Sequence, residues 1–514
     1  MASPLLCETV TAQSMADLRA ARDAAVADMV EVRLDGVADV DVAGALQGRR
    51  KPVVVTCRPE WEGGKFRGSE EERHRLLGEA LALGAEYVDV EWVALHGVHE
   101  PRFVDIVSSA PTRIVVSSHD FTGVPDDVEE RARDMRSYGA AVIKVAVMPH
   151  ALRDTLSLIP IARDGDAVVV GMGDAGLPTR LLAARYGSRW SYAGNGVAPG
   201  QIPAQRMLSQ FRFHEIGPAT RIFGVVSSGA LHSFSPVMHN AAFAAAGIDA
   251  VYVPFQTREF GDFDEFASAL GVEGASVTIP FKGDALRAAT TADDLTRQVG
   301  AANTLRRPPS RPHRSDETIS GWEATNTDVA GFLTPLEEAF GRPLSGARAS
   351  VIGGGGSARA VVVALLSRGV HVSVHTRRPE QAAAVTESLQ ANPTSAFAQG
   401  ATRDRETGRY VEIGAWPIPD GWDLLVNCTP LGSPTMRDES PIPGGPFNGH
   451  LVYDLTYGAG ESRLVRESRA AGCRTLDGLP MLIAQAERQF EWWTGQRPVP
   501  GVMRNAVERS VQCT

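Results

Sequence analysis

The sequence predicts an α/β chain. An N-terminal (β/α)8 barrel is followed by a two-domain α/β part, one domain of which has the Rossmann-type order of strand, glycine turn, helix and strand. Three observations carry that prediction. Short β-rich runs alternate with helical patterns from Pro4 to about Glu215. The pattern restarts near Glu215–Pro218. The string VIGGGGSARA then follows an apolar run and opens a helical one. A chain of 514 residues exceeds what one core supports, so several domains are expected. The boundaries read as 1–217 for the barrel, 218–340 for a second domain completed by 466–514, and 341–465 for the Rossmann-type domain.

The barrel strands read as PLLCETV, DMVEVRL, KPVVVTC, YVDVEW, TRIVVSS, AVIKVAV, DAVVVGM and RWSYAG, the last with the weakest pattern. Between them SEEERHRLLGEALALG and PDDVEERARDMRSYG have helical patterning. The second opens on Pro and acidic residues, as helix starts do. Eight such pairs in this length suit a compact barrel. After the restart, FGVVSS, VYVPF and GASVTIPF read as strands and PVMHNAAFAAAG as a helix. The Pro-, Arg- and Ser-rich segment Arg306–Thr318 reads as an exposed hairpin or loop.

Bulk properties narrow the function classes. The formal net charge is −10 and no basic run stands out, which argues against nucleic acid or an anionic membrane as partner. Small anionic substrates need only a local cluster of Arg and Lys. Cys7, Cys57, Cys428, Cys473 and Cys513 are dispersed, with no CxxC and no Cys/His metal spacing. They are expected to be reduced, mostly as small core residues, and no metal is expected. The opening MASPLLCETV has neither a basic-apolar signal nor an Arg/Ser-rich presequence, and no apolar stretch reaches the ~20 residues of a membrane span. A cytoplasmic location is expected; monomer and homodimer are both compatible with the sequence.

Barrel enzymes gather reactive groups at the carboxyl ends of their strands. There the sequence offers Glu31 and Arg33 in strand two, Arg58 and Glu62 after strand three, and His119 and Asp120 at the end of strand five. Lys144 lies within strand six, Met172 ends strand seven and Arg180 follows it, and Gln201 follows strand eight. Lys144, in VIKVAV, is the informative one. Desolvation disfavours an ammonium, and a neutral amine in a pocket can attack a ketone to form a Schiff base. A neighbouring imidazole, His119, can then carry the proton of the acidified carbon. The alternative is a lysine simply paired to a barrel carboxylate. The strings EVRLD, TCRPEWEGG, SSHD, KVAVMP and APGQ, in this order and spacing, resemble type I 3-dehydroquinate dehydratase over residues 4–215. The resemblance implies an imine on Lys144, proton transfer by His119, orientation and assistance by Glu62, and substrate contacts from Glu31, Arg33, Arg58, Arg180 and Gln201. Arginine suits a carboxylate because its fork donates two parallel hydrogen bonds. Val197 stands where that family often has Ser, so one hydroxyl contact is expected to be missing.

In the Rossmann-type unit, Gly353, Gly355 and Gly356 permit a tight turn and close backbone approach, and Ser357 and Ala358 open the helix whose N-terminus attracts a pyrophosphate. The second strand ends in HTRRPE. It offers Thr376, Arg377 and Arg378, with no acid until Glu380, which favours NADP over NAD; the alternative is a pair of solvated arginines. Upstream, HSFSP presents Ser233 and Ser235, VTIPFK presents Thr278 and Lys282, GAANTL carries Asn303 and TNTD carries Asp328. A Lys and an Asp in one cleft can pass a proton to or from an alcohol or ketone, or can form an ordinary salt bridge.

These strings, with NTDVAGF, VNCTPLG, YDLTYG and DGLPMLIAQAERQFEWWTG, resemble shikimate dehydrogenase over residues 221–514. The resemblance implies Lys282 and Asp328 as the catalytic pair. It implies substrate contacts from Ser233, Ser235, Thr278, Asn303, Tyr457 and Gln485. It places Thr429, Leu455 and Gly478 near the nicotinamide, and the glycine turn, Thr376 and Arg377 near the adenosine phosphates. Thr376 stands where the family commonly has Asn, and GVVSSGALHS lacks the usual proline. The two resemblances together imply consecutive steps: dehydration of 3-dehydroquinate, then NADPH-dependent reduction of 3-dehydroshikimate to shikimate. The alternatives are a C-terminal half that oxidises quinate, or one half kept as a non-catalytic binding module.

Overall fold

The computed structural model describes residues 3–96, 102–229, 233–308, 321–390, 411–458 and 460–512. By internal packing the chain divides into two compact units. The first comprises Met1–Gly224, Ser228–Pro236 and Asp249–Val272; the second comprises Val225–Ser227, Val237–Ile248 and Glu273–Thr514.

The first unit contains eight parallel strands: β1 (Leu5–Val10), β2 (Met29–Arg33), β3 (Val53–Thr56), β4 (Tyr87–Glu91), β5 (Ile114–Asp120), β6 (Val142–Val147), β7 (Ala167–Gly171) and β8 (Trp190–Gly194). Their order is β7-β6-β5-β4-β3-β2-β1-β8. Between the end strands the Arg189 amide donates to the Ala167 carbonyl at 2.9 Å, so the sheet curls into a nearly closed barrel. β3, β6 and β7 are buried along their whole length, as strands covered on both faces must be, which explains their Val-rich runs. The expected RWSYAG strand is present as β8. The helix Glu70–Ala82 is capped by Ser69, whose hydroxyl accepts from the Glu72 amide, and has acidic residues in its first turn.

Further along are β9 (Arg221–Ser227), β10 (Ala250–Gln256), β11 (Val272–Val277), β12 (Ala289–Ala292), β13 (Thr304–Arg306) and β14 (Trp322–Thr325), all strands of one six-stranded sheet. Within it β13 pairs antiparallel with β11 and with β14, and β12 runs parallel to β14. The antiparallel β13–β14 pair flanks the Pro/Arg/Ser-rich segment, most of which, like Cys513, lies outside the described residues.

The last sheet is parallel: β15 (Arg348–Ile352), β16 (His371–His375), β17 (Val411–Ile413), β18 (Leu424–Asn427), β19 (Leu451–Asp454) and β20 (Arg474–Leu476), in the order β17-β16-β15-β18-β19-β20. That is the doubly wound 3-2-1-4-5-6 order, with its crevice at the carboxyl ends of β15 and β18. The helix Gly356–Leu366 buries Ala358 and Ala360–Leu366 in the core of this domain.

Candidate functional site

In the barrel, inward-pointing polar residues collect around one cavity. Its lining includes every barrel residue singled out above as a site residue: Glu31, Arg33, Arg58, Glu62, His119, Lys144, Arg180 and Gln201. Val197 and Met172 line it too.

Lys144 is buried on β6 with Nζ 3.3 Å from Glu31 Oε1, 3.5 Å from Asp89 Oδ2 and 4.4 Å from the centre of the Tyr192 ring. Lys144 is thus paired to carboxylates and also lines the cavity. Burial pushes the Glu31 carboxyl up, but Lys144, Arg33, Arg58 and the Thr9 hydroxyl outweigh it and hold the group at about 2. Thr9 and Thr56 donate to its two oxygens at 2.9 and 3.0 Å.

Glu62 and His119 form a dyad. Glu62 Oε1 accepts from the His119 backbone N–H at 3.0 Å and lies 3.0 Å from Nδ1. Because Oε1 is an acceptor to the amide, we assign the ring proton to Nδ1, which leaves the lone pair on Nε2. Burial, then Arg58, Lys144 and Arg33, push the imidazole well below its ordinary value, so it is neutral. Burial raises the Glu62 carboxyl to about 8, against the pull of Arg58 and the His119 amide and with help from Glu91 and Asp89.

The three arginines differ. Arg33 is committed to Asp35 through two hydrogen bonds, of 2.7 and 2.8 Å. Arg58 gives Nη1 to Glu91 and Ser117 and Nη2 to Asp89, each at 2.8 Å. Arg180 is 1% exposed, and no carboxylate pairs with it among the described residues. Its Nη atoms reach only the Tyr192 and Pro199 carbonyls, at 3.3 Å, and Nε has no partner. Burial alone lowers it to about 10. Such a cation lacks an anion, and its free donors sit on the cavity wall. Gln201 ties the loop after β8 to the site, accepting from the Ala198 amide at 3.1 Å and donating to Thr9 Oγ1 at 3.3 Å.

Sequence reasoning missed Asp89, Glu91, Ser117 and Arg73. Asp89 and Glu91 are buried on β4, and Arg73 reaches Glu91 from the helix after β3. The missed signal was DVE: two acids at strand spacing inside an apolar run, both therefore on one face.

In the second unit, Lys282 starts a helix just after β11, with Nζ 2.6 Å from Asp328 Oδ2 and 3.2 Å from Ser357 Oγ. The Lys282–Asp328 pair thus sits against the first turn of the helix behind the glycine turn. Asp328 Oδ1 accepts from Asn303 Nδ2 at 2.8 Å, and that amide also contacts Thr327 Oγ1 and Gln485 Oε1, at 3.0 and 3.3 Å. Thr278 lies at the end of β11, and Tyr457 in the loop after β19, its phenol pushed up by burial. Ser233 and Ser235, which belong to the first unit, form their own pair at a helix start, with Ser233 Oγ donating to Ser235 Oγ at 3.0 Å and accepting from the Ser235 amide at 3.1 Å.

At the carboxyl end of β15 the turn is shaped for a close-lying ligand. Gly353 has φ +119, where a side chain is strained, while a Cβ at Gly355 would meet open space. Thr376 is buried at the tip of β16 with its hydroxyl on the Arg378 carbonyl at 2.7 Å, while Arg377 and Arg378 are exposed. Across the crevice Asn427 holds Thr429, accepting from its amide at 2.9 Å and its hydroxyl at 2.7 Å, and Asn427 donates to Asp454 at 3.0 Å. Leu455 and Gly478 are packed against each other, since a Cβ on Gly478 would stand 2.1 Å from the Leu455 carbonyl oxygen.

Comparison with known proteins matches both halves. The profile of type I 3-dehydroquinase matches residues 6–218, that of the shikimate dehydrogenase substrate-binding domain residues 225–305, and that of the shikimate 5'-dehydrogenase C-terminal domain residues 478–508. A bifunctional 3-dehydroquinate dehydratase/shikimate dehydrogenase, chloroplastic, of Arabidopsis thaliana is 29% identical over 91% of this chain and 78% of its own. A shikimate dehydrogenase (NADP(+)) of Salinibacter ruber is 39% identical over 51% of this chain and 88% of its own. The crystal structure of a shikimate dehydrogenase in complex with NADP+ superposes with a TM-score of 0.50 at 30% identity, covering 57% of this chain and 96% of the other. Among the described residues no helix is long and apolar enough to cross a membrane.

Proposed function

The chain belongs to the shikimate dehydrogenase family, joined to a type I 3-dehydroquinase barrel, and on that premise we propose that it dehydrates 3-dehydroquinate to 3-dehydroshikimate and then reduces that ketone to shikimate with NADPH. We assign the first step to residues 1–217, substrate binding in the second to 218–340 with 466–514, and the cofactor to 341–465. The observation that carries the reading is the content of one barrel cavity: a buried amine, a neutral imidazole and an arginine without an anion.

The substrate carboxylate docks on Arg180, which supplies the missing counter-charge and a two-pronged donor. Lys144 attacks the ketone and expels water to leave an iminium. His119 Nε2 removes a proton from the adjacent carbon and returns it to the departing hydroxyl, while Glu62 fixes the tautomer and ring orientation; water then hydrolyses the iminium, releasing the ketone product and restoring Lys144. Glu31 anchors Lys144 electrostatically, and Arg58 pairs with the buried Asp89 and Glu91 below the site.

In the second half, the glycine turn from Gly353 to Gly356, Ser357 and the helix N-terminus fit a dinucleotide pyrophosphate, and Arg377 and Arg378 fit a 2′-phosphate. When bound, NADPH supplies hydride. Lys282 delivers a proton to the oxygen of the reduced carbonyl, and Asp328, held by Asn303, sets the lysine's position. Ser233, Ser235, Thr278, Tyr457 and Gln485 bind the acid's hydroxyl and carboxylate groups; Thr429, Leu455 and Gly478 shape the nicotinamide end. The free thiols of Cys7, Cys57, Cys428 and Cys473 suit a reducing compartment, and we place the enzyme in the cytoplasm. Borohydride added during turnover of 3-dehydroquinate tests the reading: the stable adduct should map to the Lys144 peptide. Full dehydratase activity with no adduct there would contradict it.

A further inference from the structure

The interior of the barrel holds one carboxylate oxygen that the roles above leave unused. Asp89, on β4, is 0% exposed. Its Oδ1 is saturated, accepting from Arg58 Nη2 at 2.8 Å and Ser117 Oγ at 2.6 Å. Its Oδ2 has no hydrogen-bond partner and faces Lys144 Nζ at 3.5 Å, just beyond good hydrogen-bond length. A buried carboxylate oxygen without a donor is costly and calls for a role. Glu31, on the other side of the lysine, differs: both its oxygens accept hydroxyl donors and it is held strongly acidic, so it is a poor proton acceptor. The other groups near the amine are the Tyr192 ring, the buried Cys7 thiol, which burial pushes well up, His119 toward the cavity, and Arg33 and Arg58, which are committed to carboxylates.

We propose that Asp89 Oδ2 is the proton-accepting partner of Lys144: it takes a proton from the ammonium and so frees the lone pair with which Nζ attacks the ketone. The proposal rests on the Schiff-base reading above and deepens it. As Nζ uses its lone pair to bond the carbonyl carbon, the C=O π pair moves to oxygen. Both protons lost by nitrogen end on that oxygen, which leaves as water. The sum is ketone plus ammonium giving iminium plus water; no oxidant or net proton is needed, and Asp89 finishes as a carboxylate. Arg58 and Ser117 act as positioning residues, because holding Oδ1 aims Oδ2 at the lysine. The β5–β6 register, which pairs Ser117 with Lys144, sets that alignment.

The test uses the full-length enzyme with 3-dehydroquinate and rapid-quench borohydride trapping, following the mass of the Lys144 peptide. Asp89→Asn keeps the shape and removes the acceptor. Its rate of adduct formation at saturating substrate should fall about 100-fold, within the range of general acid–base contributions. Its KM should stay within about threefold. Without an internal acceptor, the rate should rise with pH between 6 and 9, whereas the wild-type rate should stay nearly flat. Ser117→Ala, which removes one hydrogen bond and no charge, should lose roughly fivefold and serves if Asp89→Asn folds poorly. Reduction of 3-dehydroshikimate by the other half, unchanged in each variant, reports that the chain is intact. Wild-type trapping rates, or a wild-type pH profile, in both variants would overturn the role of Asp89 alone. No adduct on Lys144 in the wild-type enzyme would overturn the Schiff-base reading itself.

Discussion

Replacing Arg180 with Met should make the empty barrel more stable and the enzyme worse. Arg180 is buried, lacks an anionic partner and leaves Nε unpaired. Its burial brings the guanidinium well below its ordinary value, down to about 10, a loss of roughly 300-fold in proton affinity. At ~1.4 kcal/mol per tenfold, that is about 3 kcal/mol of unrelieved desolvation in the empty site. Met fills a similar volume with no charge, so the ligand-free variant should gain stability of that order. The substrate carboxylate relieves the same cost when it binds, so the variant should lose about 100-fold in affinity for 3-dehydroquinate. Urea unfolding followed by loss of dehydratase-half structure, together with the KM of the dehydratase reaction, measures both. A variant that is less stable when empty and binds substrate normally would show that Arg180 is a structural brace and refute the reasoning.

Two further outcomes follow from the same structure. Glu62 binds its proton more tightly folded, at about 8, than unfolded, near 4.5. Its stabilising contribution is therefore full below the unfolded value and is lost as pH rises through 8, by about 3 kcal/mol between pH 6 and 9. Glu62→Gln should flatten that part of the urea-midpoint profile; an unchanged slope would contradict a protonated Glu62. The double variant Arg377→Ala with Arg378→Ala should raise the KM for NADPH roughly 10- to 100-fold and leave that for NADH nearly unchanged, because only the 2′-phosphate contacts are removed. An equal effect on both cofactors would point to a structural role.

Much of this architecture is legible from periodicity alone. Strands covered on both faces read as unbroken apolar runs, and a lysine inside one, Lys144, stands out against them. The glycine turn is equally plain because Gly353 occupies a conformation that side chains rarely adopt. Short strands such as β12 and β20 were not legible: β12 has no buried residue and β20 only partly buried ones, so neither leaves a hydrophobic pattern. The polar layer beneath Lys144 was hidden for a different reason. In the sequence Asp89 and Glu91 resemble acids on an exposed strand face. Only the closure of the barrel turns that face inward and brings Arg58 and Arg73, from separate elements, to meet them. Partnership is likewise invisible in a chain of letters: Arg33, Arg58 and Arg180 look alike until the structure shows that the first two are committed to carboxylates and the third is not.

Supplying 3-dehydroquinate and NADPH and following both NADPH and 3-dehydroshikimate decides whether one chain carries two consecutive reactions on separate lysines. NADPH should be lost in the parent enzyme and not in Lys144→Ala or Lys282→Ala, with 3-dehydroshikimate accumulating only in Lys282→Ala. NADPH consumption from 3-dehydroquinate that survives Lys144→Ala, or the absence of 3-dehydroshikimate in Lys282→Ala, would contradict it.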